Sequence, residues 1–329
     1  MVLGIVPIQG DPKRDSPILR MPILRPVGLA LIAIVLVAGG ACSSAGAGKS
    51  DGKLSVVAGF YPLAEAARKI GGTVVDVRNL TPPGVEPHDL ELTPKTIAAI
   101  QSSDVVLYLG HGFAPAIEQA AQDAQGEAVD LLDGMSLRQG ISEEGQTGSA
   151  TDPHIWLDPV LYRRMADRIA LVLSREKPEA ASTFTANARS FDADLSDLDQ
   201  DYRDGFSSCA RDLIVTSHAA FGYLSARYHL VQQPISGLSP DAEPSPKRLA
   251  QLAELVRRDG VTVIFTEELV SPKVAQTLAR EVGVTTQVLN PLEGLTKTEV
   301  ANGDDYLSVM RKNLKILMIA LDCQEGGVA

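Results

Sequence analysis

The sequence predicts an α/β protein with two lobes, each built on a mostly parallel sheet, and one long spine helix between them. Short apolar runs alternate with segments of helical periodicity in residues 54–177 and again in residues 207–329. Such alternation is typical of parallel sheets that helices cover on both faces. Between these regions, residues 178–206 are almost continuously compatible with one amphipathic helix.

The first lobe begins with an apolar strand over residues 54–60 and a helix over residues 61–70, which Gly71 and Gly72 end. Residues 138–151 are polar and glycine-containing, and we expect them to form a mobile loop. The other elements predicted for this lobe are strands over 74–80, 105–109 and 129–132, and helices from 93, from 115 and over 161–173.

The second lobe repeats the alternation. Its predicted strands cover residues 212–217, 231–235, 261–266 and 286–289, and its predicted helices cover 219–228, 247–258 and 272–281. A closing amphipathic helix is expected from about residue 305 to residue 321. We therefore expect lobes at 54–177 and 207–329, with the spine helix at 178–206.

The composition is that of a globular protein with acidic character. The chain has 329 residues, of which 45% are hydrophobic, and this is ample for packed cores. Its formal net charge is −11, which argues against a nucleic-acid partner because phosphate binding needs clustered Lys and Arg. The charge is compatible with a cationic ligand.

The N-terminus resembles an export signal. Arg20 and Arg25 stand at the start of an apolar run over residues 27–41, which ends in small residues. The run is shorter than the ~20 residues that a bilayer-spanning helix requires. We expect residues 1–41 to be a signal peptide, with Met21 as an alternative start.

Cys42 follows this run directly and resembles the lipidated cysteine of a bacterial lipobox. The match is imperfect, because Gly39 stands where the box usually carries leucine. We expect residues 42–53 to be a lipidated tether that anchors the protein to the outer face of the cell membrane. Simple secretion is the alternative.

Two further cysteines, Cys209 and Cys323, form an even pair in a chain that carries an export signal. Disulfides persist in such oxidising compartments, and we expect these two residues to be bridged. Two separate buried thiols are the alternative.

Two histidines follow prolines in loops. His88 ends a stretch that contains Pro82, Pro83 and Pro87, and these prolines stiffen the backbone and keep it out of a helix. His154 follows Pro153 and lies near the only tryptophan. Each histidine alone is compatible with a structural role without metal binding, such as a position in a surface turn for His88.

For His154 the alternative to metal binding is a half-buried ring whose hydrogen-bonding need is met by the carboxylate of Asp152 or Asp158. If the ring instead binds a metal, the same two carboxylates are candidate acceptors for its second nitrogen. We assign no chemistry to His111 or His229.

Further candidate ligands stand at or just after predicted strand ends in the second lobe. They are His218, Glu267, Glu268, Asn290 and Glu293. Ligands bind beyond the carboxyl ends of the strands in open α/β sheets, so these residues and the two histidines of the first lobe can converge on one cleft. Three neutral imidazoles and one carboxylate are a set that Zn²⁺ prefers.

Several segments resemble the metal-specific (zinc/manganese, cluster A-I) substrate-binding lipoproteins of bacterial ABC transporters. They are Gly59-Phe-Tyr-Pro-Leu, Thr81-Pro-Pro-Gly-Val-Glu-Pro-His-Asp, Asp152-Pro-His-Ile-Trp-Leu-Asp-Pro, Thr216-Ser-His-Ala-Ala-Phe-Gly-Tyr-Leu, Phe265-Thr-Glu-Glu and Asn290-Pro-Leu-Glu-Gly-Leu. The similarity runs in the family's order from about Leu54 to Leu321. It implies two lobes that enclose a metal in the cleft between them.

The resemblance implies metal ligands at His88, His154 and His218, and a zinc-type member. For the fourth ligand we predict Glu293, because zinc-binding members with a Pro-Leu-Glu-Gly segment use its glutamate. Glu267 and Asn290 are the alternatives. Members tuned to manganese commonly carry a carboxylate where this chain has His218, and manganese favours oxygen ligands.

The function implied is extracytoplasmic capture of Zn²⁺ and its delivery to an ABC permease and its ATPase, by a protein that is a monomer and not an enzyme. The alternatives are a manganese- or iron-binding lipoprotein, a metal-dependent adhesin and, least favoured, a zinc hydrolase with Glu267 or Glu268 as general base. A catalytic zinc keeps a coordination position open for water, which a fourth protein ligand would fill. The sequence also contains no His-Glu-x-x-His motif.

Overall fold

The computed structural model describes residues 52–88, 90–142 and 144–324. The predicted signal peptide, Met21, Cys42 and nearly all of the predicted tether lie outside the described residues. Within those residues, no helix combines the length and the apolar character needed to cross a lipid bilayer.

The first lobe contains a four-stranded parallel sheet. Its strands are β1 (Leu54–Ala58), β2 (Val75–Asn79), β3 (Val105–Tyr108) and β4 (Glu127–Asp130). They lie in the order β2–β1–β3–β4. Ala58 pairs with both Asn79 and Leu107, so the carboxyl ends of the three strands meet at one edge of the sheet.

A β-hairpin follows in place of the expected mobile loop. The antiparallel strands β5 (Gln139–Ile141) and β6 (Thr147–Thr151) are joined by a turn in which Gly145 has a φ of 75°. The prediction of an irregular loop was wrong because both strands are short and largely polar. They lack the alternation of apolar and polar residues that identifies a strand in a sequence.

The second lobe contains a second four-stranded parallel sheet. Its strands are β7 (Leu213–Thr216), β8 (Val231–Pro234), β9 (Val263–Thr266) and β10 (Thr285–Val288). They lie in the order β10–β9–β7–β8. Both sheets are parallel, as the alternating pattern predicts.

Helices cover the sheets and join the lobes. They are α1 (Tyr61–Gly71), α2 (Pro94–Ser102), α3 (Pro115–Ala121), α4 (Pro159–Glu176), α5 (Ala181–Gly205), α6 (Gly222–Arg227), α7 (Pro246–Arg258), α8 (Lys273–Val282), α9 (Lys297–Asn302) and α10 (Tyr306–Leu321). Helix α9 was not predicted from the sequence, because its six residues are too few to show an apolar period. A capping box between Thr296 and Glu299 marks its start.

The predicted spine helix is confirmed as α5, which has 25 residues. Its buried side chains recur every three or four positions, at Phe184, Ala188, Phe191, Leu195, Leu198 and Tyr202. The Tyr202 hydroxyl donates a hydrogen bond of 2.8 Å to the Met310 carbonyl on α10. The spine is therefore fixed to the closing helix by packing and by a buried hydrogen bond.

The predicted Cys209–Cys323 disulfide is present. Cys209 lies just after the end of α5, and Cys323 lies just after the end of α10. The bridge closes a loop with a sequence separation of 114 residues. It therefore joins the carboxyl-terminal ends of the two helices that Tyr202 also connects.

Candidate metal centre

Three imidazoles converge on one carboxylate oxygen at the facing edges of the two sheets. Glu293 Oε1 lies 3.3 Å from His88 Nε2, 3.2 Å from His154 Nε2 and 3.1 Å from His218 Nε2. One ligand atom from each of the four residues lies within 4.8 Å of every other. The side chains of His154 and His218 are 0% exposed, and that of Glu293 is 1% exposed.

His88 enters this cluster from the proline-rich loop after β2. Its backbone N–H donates to the two carboxylate oxygens of Glu86 at 3.1 and 3.0 Å. Its ring packs edge-on against Phe113, with the ring centroids 4.5 Å apart. The loop also reaches the second lobe, where the Gly84 N–H donates to the Leu295 carbonyl at 2.9 Å.

His154 lies between β6 and a short 3₁₀ turn, Ile155–Leu157, before α4. Asp152 Oδ1 accepts from the His154 backbone N–H at 2.9 Å and lies 2.8 Å from His154 Nδ1. Of the two carboxylates considered for this ring, Asp152 makes the contact. Asp158 instead caps α4 by accepting from the Val160 N–H at 2.8 Å.

His218 follows β7 and meets a carboxylate in the same way. Both oxygens of Glu267 lie 2.8 Å from His218 Nδ1, and Oε1 also accepts from the His218 backbone N–H at 3.2 Å. The alternative ligand Glu267 thus contacts the far side of the His218 ring rather than the point of convergence. A carboxylate at Nδ1 holds the proton there and leaves Nε2 free to bind a metal.

Asn290, the other alternative ligand, is also turned away from the cluster. Its Oδ1 accepts from the Leu292 N–H at 2.7 Å, and its Nδ2 donates to Glu299 Oε1 at 2.9 Å. Glu293 is therefore the carboxylate that meets the three imidazole Nε2 atoms, and neither Glu267 nor Asn290 does so. His111 and His229 stand outside this group and have φ values of 59° and 60°.

Glu86 was not among the residues predicted from the sequence, although the sequence contains a signal for it. Glu86-Pro87-His88 and Asp152-Pro153-His154 share one pattern, an acidic residue two positions before the histidine. In both tripeptides the carboxylate accepts the histidine backbone N–H. An intervening proline has no N–H of its own to compete for the acid.

Charge around the cluster shifts the pKa values of its members. Burial lowers the pKa of His154, but the hydrogen bonds that its ring donates to Asp152 and Glu293 outweigh burial and raise the pKa above the ordinary 6.5. For His218, burial is likewise outweighed, here by the charges of Glu267 and Glu293, and the pKa is raised well above 6.5. Burial alone would raise the pKa of Glu293, but the imidazoles hold it well below 4.5.

The geometry matches a closed tetrahedral site. A tetrahedron whose metal–ligand bonds are about 2.0 Å long has edges of about 3.3 Å. The three distances from Glu293 Oε1 to the imidazole nitrogens, 3.1 to 3.3 Å, are close to that edge. Three of the six ligand–ligand edges thus have the length of a tetrahedral site, and the four residues could hold a metal ion.

Comparison with known proteins identifies relatives that match most of the chain. The chain is 39% identical over 289 residues to the zinc-binding lipoprotein AdcA of Streptococcus pneumoniae strain R6, a match that covers 84% of this chain and 58% of AdcA. It is 38% identical over 309 residues to the high-affinity zinc uptake system protein ZnuA of Bacillus subtilis strain 168, covering 89% of this chain and 97% of that protein. The chain thus spans little more than half of AdcA.

The solved structures that resemble it include the crystal structure of the Zn(II)-bound ZnuA-like domain of Streptococcus pneumoniae AdcA. The TM-score is 0.71 at 38% sequence identity, and the match covers 82% of this chain and all of that domain. Residues 56–320 match the family described as ZnuA, zinc-uptake complex component A, periplasmic. The chain therefore belongs to the ZnuA family of periplasmic zinc-uptake components.

Proposed function

We propose that this protein captures Zn²⁺ outside the cytoplasm and delivers it to the permease of an ABC importer. His88, His154, His218 and Glu293 are the four ligands in this proposal. The observation that carries it is the convergence of three imidazole nitrogens on one buried carboxylate oxygen at distances of 3.1 to 3.3 Å. The zinc-binding relatives support the proposal that the captured metal is zinc.

The carboxylates behind the rings prepare the site for a dication. Asp152 and Glu267 contact the Nδ1 atoms of His154 and His218, and so direct the Nε2 lone pairs inward. Together with Glu293 they place three carboxylates around one cation. The same charges attract protons in the absence of metal, so zinc binding displaces protons from the raised-pKa imidazoles.

The nitrogen-rich ligand set favours zinc over manganese or iron. Manganese prefers oxygen ligands, whereas zinc accepts imidazole nitrogens in a tetrahedral arrangement. Four protein ligands leave no coordination position for a reactive water, so we propose a transport component without hydrolase activity. Glu268, the other candidate base, stands outside the cluster of ligand atoms.

Release requires the contacts between the lobes to open. The His88 loop contacts the second lobe through Gly84 and Leu295. The Trp156 indole N–H donates to the Pro291 carbonyl at 2.8 Å, and the Arg138 N–H donates to the Tyr223 hydroxyl at 2.8 Å. We propose a small movement of one loop or lobe, since α5 stays fixed in the core. Identical scattering profiles and loop protection with and without zinc would argue against such a movement.

The proposed protein has an N-terminal signal peptide and a lipidated tether, followed by two lobes. Residues 1–41 are a signal peptide, and 42–53 are a tether that Cys42 anchors through a lipid to the outer face of the cell membrane. Residues 54–177 and 207–329 are the lobes, with the linking helix at 178–206. The partners are a permease and its ATPase, and the protein acts as a monomer.

The test is metal analysis and a competition titration of the purified mature protein. We expect one tight zinc per chain in the wild type and a large loss of affinity in His218→Ala and Glu293→Ala. His229→Asn and Glu243→Ala are matched controls, because both residues are exposed and lie outside the cluster. Wild-type affinity in Glu293→Ala would remove Glu293 from the ligand set, and absence of any bound transition metal in the wild type would refute the function.

A further inference from the structure

The segment that carries Glu293 has an unusual backbone conformation. Leu292 has a φ of 58° and is 0% exposed. Leucine rarely adopts this left-handed conformation, because its Cβ approaches the backbone too closely. Relative to an ordinary φ near −60°, the backbone is rotated by about 120°, and this rotation redirects the side chain of the next residue, Glu293.

The Asn290 side chain holds this conformation from within the segment. Its Oδ1 accepts from the Leu292 N–H at 2.7 Å, which closes a local turn of the kind that asparagine favours. Its Nδ2 donates to Glu299 Oε1 at 2.9 Å, so the amide cannot rotate freely. Asn290 itself is only 5% exposed.

Asn313 on α10 holds the same segment from outside. Its Oδ1 accepts from the Asn290 N–H at 3.0 Å, and its Nδ2 donates to the Asn290 carbonyl at 2.7 Å. Asn313 is 2% exposed within an otherwise largely apolar helix face. A buried amide with both groups paired to one backbone residue fixes the position of that residue in the core.

We infer that Asn290 and Asn313 are positioning residues that keep Leu292 left-handed, so that Glu293 Oε1 meets the three imidazoles and sets the zinc affinity. The inference rests on the proposed zinc binding. It gives Asn290, an alternative ligand from the sequence, a role in which its side chain never touches the metal.

Two measurements on Asn290→Ala and Asn313→Ala test this. Loss of a side chain that orients a ligand typically weakens metal binding about 10- to 100-fold, and we expect that loss in a zinc competition titration. The absorption spectrum of the Co²⁺-loaded protein should shift toward that of Co²⁺-loaded Glu293→Ala, because the carboxylate leaves its place. Asn290→Ser should recover part of the affinity, since a serine hydroxyl accepts the same N–H more weakly.

Asn187→Ala is the matched control. Asn187 Nδ2 donates to the Ile70 carbonyl at 2.8 Å, away from the cluster, and its loss should leave both affinity and spectrum unchanged. Circular dichroism of each metal-free variant checks folding, and Asn290→Ser carries the test if the alanine variants do not fold.

The outcomes separate the two proposals. Tight zinc binding with an unaltered Co²⁺ spectrum in the Asn290 variants would overturn the positioning role, even if they were less stable. A wild type that binds no zinc would refute the proposed function itself, and the inference with it.

Discussion

The metal-free and zinc-loaded forms are expected to respond to pH differently. Although burial favours neutral rings, the surrounding carboxylates raise the pKa values of His154 and His218 above 6.5. A raised pKa contributes stability that is fully present below 6.5 and is lost as pH rises through the folded-state value. The lowered pKa of Glu293 contributes stability that is present above 4.5 and is lost only as pH falls through its folded-state value. The metal-free protein should therefore gain most from these groups between pH 4.5 and 6.5.

Zinc cancels the dependence on the alkaline side of this window. Binding must displace the protons held by His154 and His218, so two protons leave for each zinc that enters at a pH below both raised values. Each displaced proton makes the affinity change about tenfold per pH unit, and two make it change about 100-fold. That factor corresponds to about 2.7 kcal/mol of binding free energy per pH unit.

The assay is thermal unfolding from about pH 5.5 to about pH 8, with a chelator and, separately, with a fixed excess of zinc. We expect the Tm of the metal-free protein to fall as the pH rises above 6.5. The Tm of the zinc-loaded protein should rise up to pH 6.5 and then level off, because the gain in zinc affinity offsets the loss of metal-free stability. Glu293→Gln is the control: a neutral amide no longer contributes to the raised histidine pKa values, whereas Asp152 and Glu267 still do, so the metal-free curve should become shallower. A metal-free Tm that stays constant or rises as the pH increases above 6.5 would refute the reasoning.

Three other predictions concern single contacts. Glu267→Gln should weaken zinc binding about 10- to 100-fold in a competition titration, because it removes the charge behind His218; unchanged affinity would contradict its orienting role. Cys209→Ser with Cys323→Ser should lower the free energy of unfolding by about 5 kcal/mol, given the 114-residue separation, and leave zinc affinity intact. Tyr202→Phe should cost about 1 kcal/mol in chemical denaturation through the lost hydrogen bond to α10, and a neutral effect would show that water replaces that bond.

Much of the fold can be predicted from hydrophobic patterns among residues that are close together in the sequence. Buried parallel strands such as β3 and β9 are apolar runs, and α5 repeats its buried side chains with a helical period. The elements that the sequence did not reveal, β5, β6 and α9, are short and polar. Hydrogen bonds and end caps define them, and these leave no apolar period to detect.

The candidate site also contains ligands that can be selected from the sequence and one choice of ligand that depends on the folded structure. His88, His154 and His218 could be selected from sequence because each follows a strand or lies in a proline-containing loop, where parallel topology gathers ligands. The choice between Glu267 and Glu293 depends on which carboxylate faces the Nε2 atoms and which faces an Nδ1 atom. That difference comes from the left-handed turn at Leu292 and the side chains around it, which no local pattern encodes.

The imidazole cluster has a consequence for how loaded and empty proteins are told apart. Below the raised pKa values, two protons on His154 and His218 carry the same charge as one zinc ion with both rings neutral. Exchange of protons for zinc then leaves the net charge of the buried site unchanged. For the proposed delivery to a permease, the charge of the buried site then does not distinguish the loaded protein from the empty one.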